Sequence, residues 1–284
     1  MDIATLTAVL GWGALVGVVF SAIGAAGGIL TSFGLITLFA VADPNAVKPM
    51  TQLVVLATAL TFVPGYFRRG ASVPALGLLL GLGGVIGAWA GSTGSSLFLA
   101  EMSTFRPLFG VLTLAVAAQI GWKLWRHSQD RKAGTAEPMQ PYHGGVTDKV
   151  LKHYCMCFTY GGKRYRVPVI SPLIAGALIA FTAALFGVGG GFLLVPYMAS
   201  VLGMPMHIIP ATTAIPIFMS LAVSVGNFVS RGAAIDWGLL APLIAGAVVG
   251  AVLGPQINKR LPNAALQAVM GVIVAGIGVK YLFF

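Results

Sequence analysis

Two apolar stretches, residues 5–42 and 168–202, are each too long for one membrane crossing, and each is interrupted by glycine near its middle. The interruptions read Gly24-Ala25-Ala26-Gly27-Gly28 and Gly187-Val188-Gly189-Gly190-Gly191. Glycine weakens a helix by about 1 kcal/mol per residue relative to alanine, so clusters of it unwind the chain. In lipid, unwound backbone is tolerated only against protein or a watery cavity. Both breaks must therefore be enclosed by the rest of the fold.

The rest of the chain is of the same kind. Apolar stretches run at about 50–67, 73–99, 104–126, 210–230, 236–257 and 263–284, each near the ~20 residues that cross a hydrocarbon layer ~30 Å thick. Hydrophobic residues make up 57% and charged residues 8%, against about 25% charged in a soluble protein. Such a chain cannot cover a water-facing surface, which excludes disordered, fibrous and water-soluble enzyme classes. The expected fold is an all-α polytopic membrane protein of about eight membrane segments. The opening Met-Asp-Ile-Ala-Thr has no basic region, so no removable signal peptide is expected.

Charge supplies the orientation. Residues 123–166 hold 9 of the 17 Lys/Arg, without the basic stripe and stacking aromatics of a nucleic-acid binder. By the positive-inside rule this loop is cytoplasmic. If each broken stretch crosses once, 13 basic residues lie inside and 4 outside (Lys48, Arg106, Lys259, Arg260). If each folds back or crosses twice, the count is again 13 to 4, with Lys48, Arg106, Arg231 and Lys280 outside. The rule leaves both topologies open.

The two halves match at a nearly constant offset. Gly24, Gly27 and Gly28 correspond to Gly187, Gly190 and Gly191, and Gly83, Gly87 and Gly91 to Gly246, Gly250 and Gly254, in both cases 163 residues on. Pro44 maps to Pro205 and Arg69-Gly70 to Arg231-Gly232 at similar shifts. Duplicated halves with a broken helix at the same point in each are the pattern of a secondary transporter, whose site lies where the repeats meet. The division is 1–126, a first membrane repeat; 127–167, a cytoplasmic loop; and 168–284, a second membrane repeat. The glycine triplets spaced by four read as helix-packing faces. Within the loop, 128–148 reads as flexible linker, and the aromatic runs flanking Gly161-Gly162 read as a β-hairpin.

No nucleotide loop, Walker sequence or nucleophile elbow is present in membrane-compatible context, so neither ATP hydrolysis nor enzymatic catalysis is expected. Cys155 and Cys157, with His153 and His143, fall short of a convincing metal set, and no cofactor is expected. Asp2, Asp43, Glu101 and Asp236 sit near segment ends, which disfavours a cation relay. At depth remain neutral donors: Ser21, Thr51, Gln52, Thr182, Thr212, Thr213, Ser224 and Asn227, with the amides freed at the breaks. Helix N-termini with unpaired N–H groups favour an anion.

Residues Phe186-Gly187-Val188-Gly189-Gly190-Gly191-Phe192-Leu193-Leu194-Val195-Pro196, then Leu202-Gly203-Met204-Pro205 and Ala211-Thr212-Thr213, resemble the second-repeat signature of the sulfite exporter TauE/SafE family of anion permeases. The first half matches more loosely, with Ala25-Ala26 in place of the usual Val-Gly and Lys48-Pro49 where small neutral residues are common. Lys48 there either adds attraction for an anion or snorkels to the interface. The resemblance implies inverted repeats with Gly-broken hairpins. It also implies export of sulfite, sulfoacetate or another organosulfonate across a bacterial cytoplasmic (inner) membrane. The expected substrate-binding set is Gly24, Ala25, Ala26, Gly27, Gly28, Thr51, Gln52, Gly187, Gly189, Gly190, Gly191, Thr212, Thr213 and Asn227. The expected partners are a small anion and the bilayer, with a homo-oligomer left open. Proton-coupled uptake of another small metabolite and an anion channel are the alternatives.

Overall fold

The computed structural model describes residues 2–23, 26–67, 72–132, 147–152, 155–160, 162–204, 208–258 and 263–283. Gly24, Ala25, Arg69, Gly70, His143, His153, Gly161, Pro205 and His207 lie outside the described residues, as do 133–146 of the expected linker. Helices dominate: α1 (Ile3–Ile23), α2 (Gly27–Phe33), α3 (Pro44–Phe67), α4 (Pro74–Phe98), α5 (Met102–Lys132), α6 (Ile170–Phe186), α7 (Gly191–Pro196), α8 (Ile209–Ser230), α9 (Trp237–Asn258) and α10 (Asn263–Phe283). Three strands, β1 (Thr147–Lys152), β2 (Cys155–Tyr160) and β3 (Lys163–Pro168), form one antiparallel sheet. Five stretches, Ile3–Ser21, Pro74–Phe98, Met102–Arg126, Ala211–Ser230 and Trp237–Gly254, are long and apolar enough to cross a membrane. Ile86, Leu97 and Phe98 on α4, Ile174 and Leu178 on α6, and Val272 on α10 are exposed, a surface that lipid solvates and water does not.

Each broken stretch folds back on itself. After the first break, α2 returns along α1, so that the Trp12 indole N–H donates to Leu30 O (3.2 Å) and Gly34 rests on the same indole. After the second, α7 returns along α6 until the Tyr197 and Ser171 hydroxyls meet at 2.8 Å. Both returning arms widen into π-helix, at Gly34–Leu38 and Tyr197–Val201.

The hairpins dock crosswise. α1 packs on α9, and α6 packs on α4. Gly13 and Gly17 lie on the carbonyls of Leu243 and Ala247, while Gly246 and Gly250 lie on those of Leu10 and Ala14. Gly83, Gly87 and Gly91 lie likewise on Leu173, Ala177 and Phe181. Rising by four on both members, these contacts define parallel helix pairs with backbones touching, which only residues without a Cβ permit. α5 and α10 pair antiparallel, with Gly110 against Gly278 and Gly271 against Ile120.

The loop differs from expectation in two places. α5 continues through Lys132 because its Gln, Arg and Lys are good helix formers, so the end of hydropathy marks the lipid border and not the helix end. The hairpin gains a third strand, β1, paired to β2 from Lys152↔Cys155 to Thr147↔Thr159. Its first residues, Thr147 and Asp148, fall in the stretch read as linker, and Lys149 and Lys152 hide the rest, although lysine on an edge strand is a usual defence against stray pairing. Met156, Phe158, Tyr160 and Val167 bury the sheet in one cluster with Val73, Leu76, Met198 and Ile208. Cys155 is exposed and Cys157 buried, both as free thiols.

Candidate functional site

The two hairpin tips touch. A Cβ on Gly28, near the start of α2, would collide with the backbone carbonyl of Val188 inside the second break. Ala26 (φ 67°) and Gly189 (φ 77°), one shift apart, both hold the left-handed conformation that turns the chain back. Gly187 is left-handed as well (φ 72°) and abuts Cα and Cβ of Lys48. Gly190 caps α7 and Gly191 begins it. The first amides of each returning arm have no carbonyl one turn earlier in their own helix.

One face of α3 runs along this junction. Lys48, Thr51, Gln52 and Val55 fall at i, i+3, i+4 and i+7, a single helical stripe. Lys48 faces Gly187, Val55 faces Gly189, and the Thr51 hydroxyl meets that of Ser32 on α2 at 3.0 Å. Gln52 lies between them, fully buried, and neither its Nε2 nor its Oε1 has a partner. Buried side-chain amides are nearly always hydrogen-bonded, so an orphan one at a junction of two unwound segments marks a place for a polar guest. Ser224 Oγ, one turn before Phe228 on α8, is the other such atom among the described residues. Phe228 is the α8 residue whose ring lies 5.9 Å from Lys48 Nζ.

Other candidate donors are engaged elsewhere. The Thr212 hydroxyl donates to Ile208 O (2.7 Å) and accepts the Val73 N–H (3.0 Å), tying α8 to the start of α4. Thr213 is buried beside it. Ser21 and Thr182 bond carbonyls of their own helices. Asn227 lies about 22 Å along α8 from Thr212, at 1.5 Å per residue. Its Nδ2 donates to Ser92 Oγ (2.7 Å) and Thr93 Oγ1 (2.9 Å), bridging α8 to α4. The structure therefore gathers Ala26, Gly27, Gly28, Thr51, Gln52, Gly187, Gly189, Gly190 and Gly191, while Asn227 serves a helix contact. Asn227→Ala should cost about 1 kcal/mol of stability by removing part-buried bonds between α8 and α4, with anion affinity unchanged. A thermal melt and a binding titration check the two halves of that expectation.

Sequence reasoning missed Ser32 and left Lys48 between two roles. Lys48 does not snorkel: it is wholly buried, its ammonium donating to Leu99 O (2.7 Å) and lying 3.5 Å from Ser95 O. The four acids at segment ends, Asp2, Asp43, Glu101 and Asp236, each stand just before a helix, where carboxylates complement the dipole. Asp43 Oδ1 accepts Asn45 N (2.8 Å) and Asp236 Oδ1 accepts Leu239 N (3.2 Å). Among the described residues no group of three or more His, Cys, Asp or Glu is placed to hold a metal ion. An open cavity of about 690 Å³ is lined by Leu38, Phe39, Ala46, Met50 and Asp236, so that its wall includes the residue next to Thr51.

Paired glycine-broken hairpins meeting tip to tip are set inside a sequence whose family profile, that of the sulfite exporter TauE/SafE proteins, matches residues 9–281. The chain belongs to this family. It is 25% identical over 278 residues to the probable membrane transporter protein YunE of Bacillus subtilis, covering 95% of each chain. A probable membrane transporter protein of Xylella fastidiosa is 24% identical over 285 residues, covering all of this chain and 97% of its own. No solved structure matches the chain. Family and fold agree on a multi-pass helical membrane transporter, and the hairpin geometry sets the second break, Gly187–Gly191, against Gly28 and the Lys48 stripe of α3.

Proposed function

We propose that this transporter exports a small sulfur-containing anion, sulfite, sulfoacetate or another organosulfonate, from the cytoplasm. The observation that carries the reading is the unpartnered, fully buried Gln52 amide beside the two touching breaks. An amide Nε2 and helix-start N–H groups converging on one place are donors suited to sulfonate or sulfite oxygens.

The two halves are read as inverted repeats. The element order from α1 to α5 recurs from α6 to α10, and the docking of α1 on α9 answers that of α6 on α4. With the hairpins re-entrant, α3, α4, α5, α8, α9 and α10 are the crossings. Lys48, Arg106, Arg231 and Lys280 then share the face opposite the sheet with all four acids of the membrane regions, so that face is neutral. The sheet face carries the other 13 basic residues against 3 acidic ones, and the positive-inside rule makes it cytoplasmic. With an inside-negative potential of ~100 mV, expelling one negative charge gains about 2.3 kcal/mol, so no coupling ion is required.

The tips closing on each other favour a carrier that must rearrange over a standing channel. The test is efflux from proteoliposomes loaded with sulfite, sulfoacetate, taurine, sulfate or thiosulfate, under an imposed potential. Saturable flux of a sulfite or sulfonate anion, accelerated by negative interior potential, is expected. Flux tracking a proton gradient, or none for any of these anions, would overturn the reading.

A further inference from the structure

We infer that Lys48 is the charge that makes this site select anions, and among them the more highly charged; the inference rests on the anion-export reading. Three observations converge. The ammonium is fully buried, and the groups it touches are neutral: Leu99 O, Ser95 O, Asn45 Oδ1 at 3.5 Å, and the rings of Phe105 and Phe228 at 5.0 and 5.9 Å. The nearby acid, Asp43, is exposed to solvent and makes no ion pair with the lysine, so its charge offsets the ammonium only at a distance. Finally, the lysine's own Cα and Cβ touch Gly187, and Gln52 stands one turn further along the same stripe.

A buried cation without a contacting counter-ion is costly, and such groups are usually paired. The α4 C-terminus carries about half a negative charge, which offsets only part of it. The remainder acts on whatever enters beside Gly187 and Gln52, and an anion there completes the balance. Partial neutralisation also keeps the attraction moderate, as release demands. Lys48 thus acts as a specificity-determining group that need not contact the substrate, and phosphate-like bidentate geometry is not required of it.

The charge dependence separates this role from a structural cap. A fixed positive charge multiplies the affinity of a monoanion by some factor and that of a dianion by its square. Binding of sulfoacetate, a dianion, is compared with that of its carboxamide, a monoanion of nearly the same shape, by calorimetry at about pH 6, acidic enough to keep a buried lysine charged and still above the carboxylate range. Wild-type protein should prefer the dianion roughly tenfold, a difference set by one charge at effective protein dielectric. Lys48→Gln, which keeps a donor for Leu99 O, should erase that preference, and Lys48→Arg should restore it. An unchanged preference in Lys48→Gln overturns the inference and leaves the export reading intact. Should the variants fail to fold, equal wild-type affinity for the two ligands overturns it, and binding of neither sinks both readings.

Discussion

Replacing Gln52 by methionine should make the protein more stable and a far poorer transporter. Methionine matches glutamine in length and is unbranched, so the packing on α3 is kept. The wild-type amide is buried without a partner on either atom. An unsatisfied buried polar group costs about 1–3 kcal/mol, which the thioether relieves. A hydrogen bond to a charged guest contributes about 1.5–3 kcal/mol, so anion affinity should fall roughly 10- to 100-fold. Opposite signs for stability and function identify a residue kept for its ligand, since a structural residue loses both together. Melting temperature and efflux rate in the same preparation decide it. A variant that melts lower and transports normally would show that Gln52 has a partner within the resting protein and none in the substrate.

How much of this was legible in the sequence depends on which interaction fixes each feature. The breaks were legible because backbone conformation fixes them: four glycines within 187–191 unwind a helix in any context. The packing faces were legible too, since Gly83, Gly87 and Gly91 carry their spacing on the surface of the sequence. Fold-back was implied by the family resemblance but was not legible in the residues themselves. A single crossing and a hairpin partition the Lys/Arg residues equally, and the deciding contacts, Trp12 to Leu30 and Tyr197 to Ser171, are ordinary residue types with no signature.

Hydroxyl donors were illegible for a related reason. Thr51 and Thr212 stand at matching places, yet Thr212 spends its hydrogen on its own helix while Thr51 reaches Ser32 on α2. Sequence position fixes the face, and only the neighbour decides the partner. Lys48 shows the same limit. The sequence leaves it either a source of attraction for an anion or an interface anchor, and the structure removes the anchor, since the α4 carboxyl end and two phenylalanine rings enclose it. The signal that could have found it was the mismatch between halves, because the second half has Ile209 where the first has Lys48. A repeat that breaks its own symmetry at a charge has a reason outside the scaffold.

The contact between the tips gives the sharpest mechanical prediction. Gly28→Ala should abolish efflux, and Gly190→Ala should leave it near wild type, although both exchange glycine for alanine in a break. Helix propensity alone would favour alanine at Gly28, within α2, by about 1 kcal/mol. Against that stands a methyl driven into the Val188 carbonyl, where backbone must yield, and overpacking of this kind costs about 1–3 kcal/mol or more. The clash wins and pushes the tips apart. At Gly190, φ is −76°, within reach of any residue, and a Cβ would meet only Leu194 and Ile179, at 3.5 and 3.8 Å. The pocket beside it, lined by Gly84, Gly176, Leu194 and Ser220, has a volume of about 10 Å³, about one water molecule, so a methyl fits and the bulk of leucine does not. Efflux from proteoliposomes, with membrane insertion verified for each variant, reads the ordering: wild type near Gly190→Ala, then Gly190→Leu and Gly28→Ala inactive. Normal transport by Gly28→Ala would mean that the hairpins need not touch during the cycle, and the site would then have to be built from one break alone.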